Sequence, residues 1–116
     1  MAKKNDVNHT VNWQTIGDWI DTEGTIKAYG YTDKKRFRVC QLAIYQKERE
    51  PLDKLNDFLR HQGTNCSVTF LEEAREHQLQ CGKKEDAKKI VKNTETYYIT
   101  TKKKKQVKRF KELCED

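Results

Sequence analysis

Twice along the chain, a segment of helical periodicity runs into a pair of segments in which apolar and polar residues alternate. Trp13, Ile16 and Ile20 recur at intervals of three and four, so a helix is expected over Trp13–Thr22, capped by Asn12 or Thr10 and stopped at Gly24. Thr25–Tyr31 then alternates, with Ile26 and Ala28 on one face and Thr25, Lys27, Tyr29 and Tyr31 on the other. After a turn at Thr32–Lys35, the strand Phe37–Tyr45 sends Cys40, Leu42 and Ile44 inward, and Arg36, Arg38, Gln41 and Ala43 are read as facing out. Pro51 opens a second helix, because its missing N–H costs nothing in a first turn. That helix runs to His61 with Leu52, Leu55, Phe58 and Leu59 on one stripe, and Gly63 closes it.

A second hairpin follows. Cys66–Leu71 turns Val68 and Phe70 inward and Ser67 and Thr69 outward; Glu72–Arg75 is the turn; Glu76–Cys81 returns with Leu79 and Cys81 inward and Gln78 and Gln80 outward. Two more helices are expected, Lys83–Asn93 with Ala87, Ile90 and Val91 on one stripe, and Lys102–Cys114 with Val107, Phe110, Leu113 and Cys114. Tyr97–Ile99 connects them. The order α-ββ-α-ββ-α-α predicts an α+β fold, one four-stranded antiparallel sheet with all helices on one face. It occupies a single domain over 1–116, with residues 1–11 expected to be flexible. The open face then carries Thr, Lys, Tyr, Arg, Gln and Ser, a set of donors and acceptors suited to phosphates and base edges.

Composition narrows the partners. Only 34% of the chain is hydrophobic and 36% is charged, so one copy buries a thin core and a second subunit would help. The net charge is +6, and twelve of the 24 basic residues but only six of the 18 acids lie at 83–116. The last third therefore supplies the whole excess, which fits a polyanionic partner, nucleic acid above all. No apolar run approaches the ~20 residues of a membrane span. The N-terminal stretch has no apolar core of a secretory signal, so an intracellular location is expected. Cys40, Cys66, Cys81 and Cys114 lack a C-x-x-C pair, and the reading is of free, buried thiols rather than a zinc site. The three histidines show no ligand spacing and are read as unremarkable.

One local feature resists this account. The first helix ends in Asp21 and Glu23 with no base beside them. A helix C-terminus carries partial negative charge, so acids there are unfavourable.

Ile16-Gly17-Asp18-Trp19-Ile20-Asp21-Thr22-Glu23-Gly24 resembles the nine-residue LAGLIDADG signature of homing endonucleases. The resemblance extends to Ile44-Tyr45-Gln46-Lys47, similar to the family's second-strand ending, and to Lys102–Gln106 before an amphipathic helix. Together these span about Asn12 to Leu113. The motif occurs once, which implies the single-motif class that works as a homodimer. In that family two such helices pack side by side, and their C-terminal ends deliver acids to DNA-cleaving sites. The resemblance therefore implies Ile16, Gly17, Ile20 and Asp21 at the dimer interface. It departs at the third motif position, ordinarily small, which holds Asp18, and at the seventh, which holds Thr22.

By position, Glu23 matches the metal-binding acid and Asp21 a structural acid that caps backbone N–H groups. Gln46 matches the residue that positions the attacking water. Lys103 matches the base that stabilises charge at the phosphate, with Lys102 as a one-residue register alternative. The implied cofactor is Mg²⁺ or Mn²⁺, a hard cation that keeps several waters and needs few protein ligands. The expected substrate is a long, pseudo-palindromic double-stranded DNA, contacted by Thr25, Lys27, Tyr29, Tyr31, Arg36, Arg38, Gln41, Ser67, Thr69, Gln78, Gln80, Lys102, Lys104 and Lys105. The competing reading on the same fold is a non-cleaving binder, either a maturase on intron RNA or a DNA-binding regulator.

Overall fold

A computed structural model describes residues 11–31 and 34–114; for 31–37 the side chains lie outside that description. Helix α1 spans Trp13–Glu23, strand β1 Gly24–Tyr31, β2 Lys34–Gln46, helix α2 Arg49–His61, β3 Ser67–Leu71, β4 Glu76–Cys81, α3 Lys84–Thr94 and α4 Thr101–Cys114. A single 3₁₀ turn, Glu95–Tyr97, joins α3 to α4. The strands form one antiparallel sheet in the order β1-β2-β4-β3. The α+β order read from the sequence is the order observed, and every expected element is present. The turn at 32–33 and the N-terminal segment 1–10 lie outside the described residues.

Local chemistry accounts for the boundaries. Asn12 caps α1: its Oδ1 accepts from the Thr15 N–H at 2.9 Å, and Thr15 Oγ1 accepts from the Asn12 N–H at 3.2 Å. Gly24 ends α1 for a steric reason. A Cβ there would lie 2.8 Å from the Ile20 Cα and 2.9 Å from the Ala43 carbonyl oxygen, so the helix can pass directly into β1 only without a side chain. Gly63, at φ +93°, closes α2.

The core lies between the sheet and the helices. Ile26, Leu42, Ile44 and Leu79 come from the sheet, Ile16 and Ile20 from α1, Leu52, Leu55 and Leu59 from α2, and Ile90, Val91, Phe110 and Leu113 from α3 and α4. Trp13 packs edge-on against Phe58, with ring centroids 5.2 Å apart.

Three expectations are corrected here. Phe70, read as inward, is 51% exposed. It shares the parity of Val68 but sits beside the 72–75 turn and packs at a tilt against His77, with ring centroids 5.0 Å apart, instead of entering the core. Arg38, read as outward, has the parity of buried Cys40, and its Nη1 donates to the Leu113 carbonyl at 2.8 Å. The four cysteines are not free. Cys40 is bonded to Cys114, and Cys66 to Cys81, across sequence separations of 74 and 15. The first bond ties the end of α4 to the central strand β2; the second joins the chain just before β3 to the end of β4. Among the described residues no helix is long and apolar enough to cross a membrane.

Candidate nucleic-acid interface and catalytic site

Asp21 and Glu23 are two residues apart, about 200° around the helix, so they face opposite ways. Asp21 is 7% exposed and turns into the fold. Its Oδ1 accepts from the Thr100 hydroxyl at 2.8 Å and the Thr100 N–H at 3.2 Å. Thr100 in turn caps α4: its Oγ1 accepts from the Lys103 N–H at 3.2 Å, and its carbonyl accepts from the Lys104 N–H at 3.1 Å. The acid at the unfavourable end of α1 thus sits on the favourable end of α4. Burial pushes the Asp21 carboxyl up, but the bonds from Thr100 and the Ile99 N–H, with the charge of Lys103, outweigh it and hold the group below the ordinary aspartate value.

Replacing Asp21 by leucine should therefore destabilise the fold. The Thr100 N–H would be left unpaired and the Lys103 ammonium would lose its nearby carboxylate, a loss of about 2–4 kcal/mol. A urea melt checks this, and an unchanged midpoint would contradict the bonding described.

Glu23 is the other half. It is exposed, and makes no hydrogen bond or ion pair among the described residues. Its carboxylate is available to whatever approaches the end of α1. Next to it, the Gly24 carbonyl accepts from Lys103 Nζ at 2.7 Å. Lys103 is only 3% exposed. Burial, then the neighbouring Lys102, pull its ammonium below the ordinary lysine value, against an opposing effect of Asp21. Gln106 continues the contact, its Oε1 accepting from the Ile26 N–H at 2.9 Å, so α4 covers the outer edge of β1. Gly24 pairs with Ile44, which puts Gln46 two residues further along β2, at the same end of the sheet. Glu23, Gln46 and Lys103 thus all lie around the α1–β1 junction. Sequence reasoning missed His77, which is the register partner of Gln46 and hydrogen bonds through Nδ1 to the Lys47 carbonyl at 2.9 Å. No spacing in the sequence links those residues; only strand register brings them together.

The face of the sheet away from the helices is polar along its rows. One row runs Thr25, Ala43, Gln80, Ser67; the next runs Tyr45, Gln78, Thr69; Lys27 lies opposite Gln41. Gln80 Nε2 donates to Gln41 Oε1 at 3.2 Å, and Gln78 Nε2 to the Tyr45 hydroxyl at 3.4 Å. These side chains are held in pairs before any ligand arrives. Tyr29, at 57% exposure, stands at the edge. The side chains of Tyr31 and Arg36 lie outside the described residues. Lys102, Lys104 and Lys105 are exposed on the first turns of α4.

The residues expected at a helix–helix dimer interface are not available to a partner. Ile16, Gly17, Ile20 and Asp21 are all buried within the chain. A Cβ on Gly17 would lie 2.9 Å from the Tyr97 Cβ, so this glycine admits Tyr97 of the same chain rather than a second helix. The open stripe of α1 is Gln14, Asp18 and Thr22, one turn apart, and it lines a groove shared with Tyr97 and Ile99. Ile99 is 79% exposed.

Two solved structures with a similar arrangement are homing endonucleases. The LAGLIDADG meganuclease I-AabMI, seen bound to uncleaved DNA, superposes over 86% of this chain with a TM-score of 0.64 and 17% identity. The homing endonuclease I-TnaI superposes over 87% with a TM-score of 0.63 and 21% identity. The chain has the LAGLIDADG homing-endonuclease fold. It spans 35% of the length of the I-AabMI chain and 69% of that of I-TnaI. No family model and no curated protein matches the sequence.

Proposed function

We propose that this protein is a site-specific endonuclease that hydrolyses phosphodiester bonds of double-stranded DNA as a homodimer with a divalent metal. The observation that carries the reading is the division of labour at the end of α1. Asp21 is buried and bonded to Thr100 inside the fold, whereas Glu23, two residues on, is exposed and unpaired among the described residues. An exposed carboxylate kept unpaired at the negative end of a helix, among the described residues, suits a cation.

The exposed Glu23 carboxylate suits a cation that asks little of the protein, such as Mg²⁺ or Mn²⁺, which takes one or two carboxylates, phosphate oxygens and water. No group of three or more acidic, histidine or cysteine side chains is gathered for a metal among the described residues. Glu23 would hold it, and the ion when bound would supply charge at the phosphate and a more acidic water. Gln46, at the same end of the sheet, can hold a water by its amide. The polar sheet face would lie in the major groove, with Gln41, Gln78, Gln80, Thr25, Ser67 and Thr69 meeting base edges and Lys27, Lys102, Lys104 and Lys105 meeting phosphates. A non-cleaving binder would use the same face, but has no need of the unpaired Glu23.

Two copies would meet on the open stripe of α1, through Asp18 and Thr22, with Tyr97 and Ile99 alongside. Ile99→Glu should then convert a dimer to a monomer in sedimentation velocity, with the fold intact. A dimer of unchanged stability would contradict this interface.

The DNA reading is tested by selecting bound fragments from a randomised duplex pool in the absence of metal. A single enriched site of two-fold symmetry is expected. An unenriched pool would contradict sequence-specific recognition.

A further inference from the structure

The sequence offers two adjacent lysines for one basic role, and the structure separates them. Lys102 is exposed, whereas Lys103 is buried with its ammonium on the Gly24 carbonyl. The Lys103 N–H reaches the Thr100 hydroxyl, and the same hydroxyl donates to Asp21. The contacts close a ring: Asp21 on α1, Thr100 capping α4, Lys103 in the first turn of α4, and Gly24 at the end of the motif. The two residues between Asp21 and Gly24 are Thr22 and Glu23. Glu23 is therefore the carboxylate spanned by the ring, pinned through a side chain on one side and through a backbone carbonyl on the other.

We infer that Lys103 is a positioning residue that fixes the backbone carrying Glu23, and that Lys102 makes the phosphate contact. This rests on the endonuclease reading above. Lys103 is buried, so a phosphate at the surface could reach its ammonium only if the side chain left the ring and exposed the junction it holds. An exposed ammonium one residue away pays no such penalty. The two roles also differ in what they need. Phosphate contact needs only a charge within reach, whereas the ring needs a donor at one fixed point.

The test compares Lys102→Met, Lys103→Met and Thr100→Val with the wild type. Duplex binding is measured against salt concentration, and cleavage against Mg²⁺ concentration. Lys102→Met should reduce the slope of log affinity on log salt by about one. Lys103→Met should leave the slope unchanged and shift half-maximal cleavage to higher Mg²⁺, with kcat falling more than KM changes. Thr100→Val breaks the same ring while leaving both lysine side chains in place, and should share the Mg²⁺ shift even if Lys103→Met fails to fold. A slope reduced by Lys103→Met and not by Lys102→Met would overturn the assignment. So would Thr100→Val with wild-type Mg²⁺ dependence. Wild-type binding with no salt dependence would instead remove the nucleic-acid reading itself, and this assignment with it.

Discussion

Glu23→Gln is expected to lower the rate of duplex cleavage by about a thousandfold while leaving affinity for the duplex and thermal stability close to wild type. Glutamine preserves the length and shape of the side chain and removes only the charge. Nothing in the fold depends on that charge, because Glu23 is exposed and unpaired among the described residues. The whole effect should therefore fall on the step that uses the cation. Several kcal/mol of charge stabilisation lost at the phosphate corresponds to about three powers of ten, at ~1.4 kcal/mol for each. The contrast with Asp21 is diagnostic: that acid is bonded to Thr100, and its loss should be seen in stability. Single-turnover rates, a binding isotherm and a melting curve on the same preparation separate the outcomes. Reduced binding in step with reduced cleavage would assign Glu23 a structural place.

The second large effect concerns α4. Breaking the Cys40–Cys114 bond by Cys114→Ser should destabilise the protein by about 4 kcal/mol, the chain-entropy value for a loop closed across 74 residues. For a chain of this size that is a fall in melting temperature on the order of 10–20 °C. The shorter Cys66–Cys81 loop should contribute about 3 kcal/mol. α4 carries Lys103 and Gln106 on β1, and its last turn is held by the disulfide and by Arg38 on the Leu113 carbonyl. Loss of the bond should therefore also weaken cleavage at temperatures where the fold persists. Melting with and without a dithiol reductant measures the effect directly. Identical curves would show that the thiols are not paired in solution.

The elements were legible because their periodicities are clean. Ile16 and Ile20, Leu52 and Leu59, and Leu42 with Ile44 each report a face that has to be buried. The hairpins followed from alternation, and the glycine at position 24 marked a boundary whose steric cause appears only in three dimensions. What was not legible depends on contacts between distant segments. Arg38 looked exposed by its charge, although strict alternation from Cys40 places it inward, where a helix carbonyl receives it. Gly17 suggested close approach of a helix, and the approaching group proved to be Tyr97 of the same chain. The cysteine pairs are brought together by strand register and by the docking of α4, neither of which leaves a spacing signature. Lys102 and Lys103 were indistinguishable until the Thr100 cap set the phase of α4.

Incubation of the protein with a randomised or genomic duplex library in Mg²⁺ or Mn²⁺, followed by sequencing of new ends, tests the endonuclease reading most directly. Paired double-strand ends at one recurring, two-fold-related sequence, absent with Glu23→Gln, are the expected result. Selective retention of duplex with no new ends would contradict cleavage and leave a binding protein built on a nuclease fold.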